Sequence, residues 1–458
     1  MLRGLIVRLF LSGILSVFLS LAATTCFAEA QALFHPTDPS LNVIAGDLRK
    51  ATSNIDIAMY SMDVSDDSPV VMALKSEPLT SRIHNGSLHV RVIFEGYGSD
   101  EDNTAHSEAL EQLGVDVRWF SSGRKVHHKF AVIDGDQPSP TLITGSANWS
   151  LGSMKNYDEA IMVFRGEPGI SQTFQKEFNL LWGLSSEYGV TRFPETITVG
   201  DAPMEPGVSV AFNTANFKIT GSRLTAIEPK VWTLTHAIVV EIDAAQTSLK
   251  IASTRIVLRP IYNAILRAAA RGVKIDILVN EDQYELPNVR LTSVLADCAD
   301  EYDDSCSKNI DFPWFLESLS YPGRENVTVH VKFFSLNTRV TLAKQMHAKY
   351  VVTDDNRVAS GSFNWSSSSE YDNIENVVKL VDSDYHNVIT AFSDNHARIF
   401  SRGRDQYAPY IQKIETAITT GVKTDCAFAP MALTYKEIDY LLDSGQRAGH
   451  KPFKDACL

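Results

Sequence analysis

The sequence predicts an α/β protein built from two homologous repeats, and three observations predict it. The stretch HHKFAVIDGDQPSPTLITGSANWS at 127–150 returns almost unchanged as HAKYVVTDDNRVASGSFNWS at 347–366. Weaker echoes precede both copies in the same order: QALFHPTD (31–38) with VSVAFNTAN (208–216), and ATSNIDIAMYSM (51–62) with AAQTSLKIASTRI (244–256). Segments that alternate with a period of two, as strands do, are separated by segments with apolar residues at helical spacing. That succession implies layers of sheet and helix.

In chain order, residues 1–30 read as a secretory leader. Arg3 and Arg8 precede the apolar run Leu9 to Ala23, and Ala28-Glu29-Ala30 offers a small-x-small cleavage site. The run is shorter than the ~20 apolar residues a spanning helix needs, so export to the periplasm or the medium is expected. A first repeat follows over 31–190, in which GVDVRWF (114–120) alternates like a half-buried strand and lines up with NVTVHVKFF (326–334). The Pro and Gly content of FPETITVGDAPMEPG marks a linker at 191–205. A second repeat then spans 206–405, and its PIYNAILRAAARG (260–272) has helical spacing and a stop at Gly272. This copy carries an insertion, about 281–326, expected to be absent from the first. Residues 406–458 form a C-terminal extension outside both repeats.

Composition bounds the partners. With 458 residues, 44% of them hydrophobic, the chain can bury large cores. The formal charge of −13 becomes −14 once the leader's Arg3, Arg8 and Glu29 are removed. Such a surface has no general attraction for nucleic acid or anionic membranes, so any phosphate must be held locally. Cys26 leaves with the leader, and Cys298, Cys306, Cys426 and Cys457 remain. An even count in an exported chain suggests disulfides, with sequence order favouring 298 to 306 and 426 to 457. No Cys-x-x-Cys pair is present, which argues against zinc.

The repeated motif carries the chemistry. Strand alternation puts His127 and Lys129 on one face and His128 with Phe130 and Val132 on the other. Ala348 stands where His128 does, so His128 reads as a packing residue. Asp134 and Asp354 fall at the strand ends, where a carboxylate can bond nearby backbone or hold the lysine. Gly145-Ser146-Ala147-Asn148 and Gly361-Ser362-Phe363-Asn364 supply small and amide residues that let donors approach an anion. Glu159 and Glu375 follow at equal spacing, and a carboxylate there could fix an imidazole tautomer.

His-x-Lys-x4-Asp followed by Gly-Ser-x-Asn, present twice, resembles the phospholipase D superfamily, whose members include phospholipases D, cardiolipin and phosphatidylserine synthases, bacterial endonucleases and a mitochondrial cardiolipin hydrolase. The resemblance covers roughly 31–405. It implies two α/β/α repeats with mixed sheets packed about a pseudo-two-fold axis, the active site at their interface. It also implies that His127 attacks phosphorus to form a phosphohistidine while His347 serves as general acid and then as base. Lys129, Lys349, Asn148 and Asn364, with Ser146 and Ser362, would bind the non-bridging oxygens. That much fixed positive charge makes a metal or other cofactor unnecessary, and an ammonium at i, i+2 from each histidine stands where a second metal ligand would be expected. Since both motifs lie in one chain, a monomer suffices.

Three substrates compete: phospholipid headgroups hydrolysed as by a phospholipase D, nucleic acid cut by a nonspecific endonuclease, and lipid acceptors in a cardiolipin synthase-like phosphatidyl transfer. A binding module without catalysis is disfavoured by two intact motifs. The acidic charge disfavours the nuclease, although Arg124, Lys125, Arg339 and Lys344 could line the mouth or be solvated loop charges. A soluble exported chain fits hydrolysis better than transfer. In the insertion, DFPWFLESLSYPG (311–323) gathers Phe312, Trp314, Phe315 and Leu316. These read either as a lid in transient contact with a membrane surface or, as helix-start aromatics more often are, as residues packed on the domain.

Overall fold

The computed structural model describes residues 28–96, 101–120, 122–193, 195–285, 302, 312–334, 344–381, 383–425 and 429–443. The hydrophobic run of the leader and all the cysteines, with the disulfides expected of them, lie outside the described residues.

In the first repeat the strands are β1 (Glu29–His35), β2 (Asn54–Met59), β3 (His89–Glu95), β4 (Asp116–Phe120), β5 (Lys125–Val126), β6 (Lys129–Ile133), β7 (Thr141–Gly145), β8 (Glu159–Arg165) and β9 (Ser185–Glu187). All but β5 form one sheet in the order β1-β8-β7-β6-β2-β3-β4-β9. The second repeat contributes β10 (Val208–Phe212), β11 (Phe217–Thr220), β12 (Arg223–Ala226), β13 (Ser248–Ser253), β14 (Lys274–Asn280), β15 (Val327–Phe333), β16 (Tyr350–Thr353), β17 (Arg357–Gly361), β18 (Asn373–Ile374), β19 (Asn376–Val381) and β20 (Met431–Leu433). Its large sheet runs β10-β19-β17-β16-β13-β14-β15-β20, the same order element for element. In each, three neighbouring strands pair in parallel (β2 with β3, β3 with β4; β13 with β14, β14 with β15) and the motif hairpins pair antiparallel. The sheets are therefore mixed, as the resemblance implied.

Sequence explains the parallel centre. A parallel strand is covered on both faces by crossover helices, so it reads as a near-continuous apolar run. Every residue of NIDIAM in β2 is buried, and the one acid there, Asp56, is met by a bidentate bond from buried Arg91 at 2.6 and 2.7 Å. Phe178 and Trp182, from the helix Pro168–Leu184, each stand 5.0 Å from that guanidinium.

The repeats share a core. The helix His386–Phe400 of the second repeat packs on β1 of the first, with the Phe392 ring 5.0 Å from Phe34 and Asn387 Nδ2 donating to the Ala30 carbonyl at 3.0 Å. One apolar cluster accordingly runs through both halves.

Three boundaries differ from the sequence expectation. Strand β1 already pairs at Glu29, which opposes Arg165, so the fold begins before residue 31. The extension is not outside the repeats: β20 lies antiparallel to β15, completing the second sheet at the edge that β9 closes in the first. The insertion lengthens a connection that the first repeat also has, since β3 to β4 carries the helix Glu101–Gln112 where β14 to β15 carries the helix Phe312–Ser318. Phe312 stacks on Tyr262 at 4.5 Å, and Phe312, Phe315 and Leu316 are buried. Of the two readings of these aromatics, the packed one describes them.

Candidate active site

Two short segments join the repeats and set the geometry of the site. Strand β5, just before His127, pairs in parallel with β18, just before Glu375, and His127 N donates to the Ile374 carbonyl at 3.0 Å. The mirror contact uses the other halves: His347 N donates to the Asp158 carbonyl at 2.9 Å. Each histidine is thus laid alongside the residue that precedes the other repeat's glutamate. The side chains follow, with His347 Nδ1 2.6 Å from Glu159 Oε1 and His127 Nδ1 2.7 Å from Glu375 Oε1. A carboxylate does meet each imidazole, but the pairs cross between repeats.

The pairs are not alike. Glu159 accepts from His347, from Ser153 Oγ at 3.0 Å and from Ser146 Oγ at 2.5 Å. Glu375 has Asn373 Nδ2 at 3.3 Å and the Ser362 hydroxyl beside it, and its contact with His127 is at ion-pair distance but off the line of a hydrogen bond. Burial pushes the Glu375 carboxyl up to about 7, which Lys129 only partly offsets. Burial also opposes the ionised form of Glu159, yet His347, Lys349 and the hydrogen bonds outweigh it and hold this carboxyl below its usual range. Desolvation, with Lys129 and Lys349 nearby, keeps His127 well below the ordinary imidazole value. His347 is lowered too, mainly by burial, with Glu159 pulling the other way.

The lysines point into the same centre. Lys129 Nζ donates to the His127 carbonyl at 2.8 Å, and Lys349 Nζ reaches the His347 carbonyl and lies 2.9 Å from His347 Nδ1. Burial lowers them to about 7 and about 8 respectively. A buried ammonium without a full complement of acceptors is poised to take an anion's oxygen.

Several expected site residues stand elsewhere. Asp134 and Asp354 do not hold the lysines. Both sit in left-handed turns, φ 57° and 52°, at the far ends of their strands. There Asp134 accepts from Thr52 N and Ser53 N at 2.7–2.9 Å, and Asp354 from Gln246 N, Thr247 N and Ser248 N at 2.8–3.2 Å. They tie the motif strand to the start of its neighbour and are structural. Ser146 and Ser362 are buried and engaged within the protein: Ser146 serves Glu159 and the Ala160 backbone, and Ser362 accepts from Asn376 N at 3.1 Å. The glycines before them allow close strand packing, because a Cβ would stand 2.3 Å from the Ala160 carbonyl at Gly145 and 2.2 Å from that of Asn376 at Gly361. Asn148 and Asn364 remain half-buried, each with a side-chain oxygen that lacks a hydrogen-bond partner among the described residues. His128 is packed, as expected, against Phe130 and Phe212, with Asn376 Nδ2 2.9 Å from its Nδ1.

Two groups escaped the sequence reading. The Tyr60 ring lies 4.8 Å from His127 and 5.2 Å from Lys129 Nζ, and Tyr157 lies 5.6 Å from His347. Their counterparts are Thr254 and Asn373, so a search for repetition passes over them. Beside Glu159, Asp158 binds Lys332 at 2.7 Å and Arg402 through both oxygens, an ion cluster assembled only across the interface. At the mouth, Arg124 is engaged by Asp372 at 3.8 Å and lies over Phe217, Lys125 is exposed, and Arg339 lies outside the described residues. Among the described residues, Glu111, Asp116 and Glu187 converge closely enough to suggest a cation, but Arg192 already pairs with Glu111 there.

The chain matches the family described as cardiolipin synthase, PLD-like domain, over residues 44–182 and 238–401. Among curated proteins it is 31% identical over 150 residues to a mitochondrial cardiolipin hydrolase of Chlamydomonas reinhardtii, which covers 32% of this chain and 60% of the relative. It is 22% identical to a probable phospholipase D of Caenorhabditis elegans over 72% of this chain and 60% of that one. The chain therefore spans about 60% of the length of these relatives. The crystal structure of a phosphatidylserine synthase from Haemophilus influenzae superposes with a TM-score of 0.53 at 16% identity, covering 80% of this chain and 86% of that one, a likeness of fold.

Proposed function

The chain belongs to the family of cardiolipin synthase, PLD-like domains, whose match takes in both repeats, and from that premise we propose that it is a phosphodiesterase that hydrolyses phospholipids at the headgroup ester. The observation that carries this reading is the pair of crossed contacts, His347 to Glu159 and His127 to Glu375, because they turn two distant motifs into one centre.

Each glutamate stands against Nδ1, which leaves Nε2 of both rings for the substrate. In the first step the His127 Nε2 lone pair forms a bond to phosphorus. The bond from phosphorus to the headgroup oxygen breaks, and that oxygen takes the proton from His347 Nε2. In the second step water attacks phosphorus and gives a proton back to His347 Nε2, while the phosphorus–nitrogen bond breaks and its electrons return to His127. Lys129 and Lys349 neutralise the non-bridging oxygens throughout, and the Asn148 and Asn364 amides donate hydrogen bonds to them. The contrast between the pairs supports this division of labour. A nucleophile must be unprotonated, and burial with two neighbouring ammonium groups favours that for His127. An acid is best held against an ionised carboxylate, and Glu159 is the one kept ionised.

Phospholipid is preferred over nucleic acid on two grounds. The similar curated proteins are named for cardiolipin hydrolysis and phospholipase D activity, and a net charge of −13 works against binding a polyanion. Export, action as a monomer and transient contact with a membrane surface complete the proposal. Phosphatidylcholine vesicles and plasmid DNA, offered side by side to the purified full chain in the presence of a chelator, test it. Release of free headgroup with the DNA left intact is the expected result. DNA cleavage without lipid turnover would transfer the reading to the endonuclease, and release of headgroup only when an alcohol acceptor is supplied would transfer it to the phosphatidyl transferase.

A further inference from the structure

Two histidines related by a pseudo-two-fold axis need something to make them unequal, and the buried ion cluster beside Glu159 has no buried counterpart on the other side among the described residues. Asp158 precedes Glu159, and the residue in its place before Glu375 is Ile374. Lys332 lies opposite Asn280 on β14, and the matching position on β4, opposite Glu95, is the buried apolar Phe120. The cluster also reaches the other partner of the pair. Lys332 Nζ donates to the Gln345 carbonyl at 2.9 Å, two residues before His347, and Asp158 N donates to that same carbonyl at 2.9 Å. Arg402 is buttressed in turn by the extension, since Ala432 N of β20 donates to its carbonyl at 2.9 Å. On the other side the segment of Glu375 meets that of His127 through Val126 and Ile374, both buried and apolar, and the ion pair between these segments, Arg124 with Asp372 at 3.8 Å, is partly exposed and longer than those of the cluster.

We propose that the Asp158–Lys332–Arg402 cluster is the positioning device that assigns the two histidines their roles, by locking Glu159 onto His347 so that this pair transfers the proton and His127 is left as nucleophile. The proposal rests on the phosphodiesterase reading above. Its physical basis is charge as well as geometry: one carboxylate and two cations leave a net positive charge next to Glu159. The other groups facing Glu159 are His347, Lys349, Lys129, His35, Ser146 and Ser153. Ser153 shows the same asymmetry, because its counterpart Ser369 is engaged by Ser366 Oγ at 3.0 Å instead of by a glutamate.

Lys332→Met in the full chain tests the role, because Asp158 keeps its two bonds to Arg402 and is not left as a lone buried charge. The substrates are aryl methyl phosphates running from p-nitrophenyl, whose phenolate leaves without help, to p-methoxyphenyl, whose oxygen needs a proton. The variant is expected to lose at least about tenfold more rate on the p-methoxyphenyl ester than on the p-nitrophenyl ester. Lys332→Arg should restore the wild-type ratio. Should Lys332→Met fail to fold, Arg402→Gln, at the rim of the cluster, is expected to show the same skew. Equal losses along the series, or a greater loss on the p-nitrophenyl ester, would overturn the assignment while leaving the phosphodiesterase intact. Failure of the wild-type chain to cleave any member of the series would instead count against the phosphodiesterase reading itself.

Discussion

Glu159, in the first repeat, lies 2.6 Å from Nδ1 of His347 in the second, although 188 residues of chain separate them. The site is therefore not two motifs placed side by side. Each half of the chain supplies the carboxylate that meets the other's imidazole, which gives a physical reason for one chain to carry the motif twice.

The crossing is testable by thermodynamic coupling. Glu159→Gln and His347→Ala, made singly and together, should show a coupling in unfolding free energy of about 0.5–3 kcal/mol, whereas Glu159→Gln with His127→Ala should be additive within about 0.5 kcal/mol. The same Glu159→Gln change should lower kcat by about 100-fold or more with little effect on KM, since the pair acts on the transition state. Steady-state kinetics and urea denaturation measure both.

Glu375 sets a pH signature in stability. Its carboxyl, moved by burial from 4.5 to about 7, keeps its proton in the folded protein where the unfolded chain has lost it. Across that window the native state binds more protons, so this group's contribution to stability falls as pH rises from about 4.5 to 7. Glu375→Gln removes the titration. Relative to wild type, the variant should gain stability between about pH 5 and pH 8, read from urea midpoints. A constant offset between the two proteins would show that Glu375 ionises normally.

Asp134 and Asp354 show where sequence reading ended. The motif displays the aspartates at fixed distance from the lysines, and their composition suits either a site or a turn. What decides is a set of backbone donors some eighty residues earlier for Asp134 and over a hundred for Asp354, which no local pattern displays. Repetition made the fold, the histidines, the lysines and the glutamates legible because both copies keep them. The same repetition hid Tyr60, Tyr157 and Asp158, whose partners in the other copy are Thr254, Asn373 and Ile374. Likewise β20 was hidden because three residues, Met431–Leu433, are too few to show a period.

The structural role of Asp134 has a direct consequence. Asp134→Ala removes an acceptor shared by several amides and puts a Cβ residue without a compensating side-chain bond at φ 57°. A loss of about 2–4 kcal/mol in stability is expected. Activity per folded molecule should stay within a few-fold of wild type. A thousandfold fall in kcat with unchanged melting would return Asp134 to the active site.

His127 and His128 are neighbours in different surroundings, one beside Glu375 and one packed between Phe130 and Phe212, and substitution should separate them. His127→Ala is expected to abolish turnover, by several orders of magnitude, at near wild-type stability. His128→Ala leaves Asn376 without its partner at 2.9 Å and opens space between Phe130 and Phe212, so it should cost about 1–3 kcal/mol of stability with kcat little changed. Melting curves and kinetics on the same preparations distinguish the outcomes.

The aromatic helix Phe312–Ser318 yields the remaining test, because it bears on how lipid is reached. Phe315 is 2% exposed, so it cannot enter a membrane without unfolding its own surroundings. Phe315→Ala should destabilise by about 3–5 kcal/mol. At temperatures where the variant is still folded, hydrolysis of vesicle lipid and of a small soluble phosphodiester should fall together. Trp314, half-buried against Phe315 at 5.2 Å, should behave in the same way with a smaller cost. Selective loss on vesicles would mean that the helix leaves its seat at the lipid surface. Equal loss would direct the search for the membrane-facing surface to other elements around the mouth, beginning with the hairpin β11–β12, where Ile219 is 52% exposed.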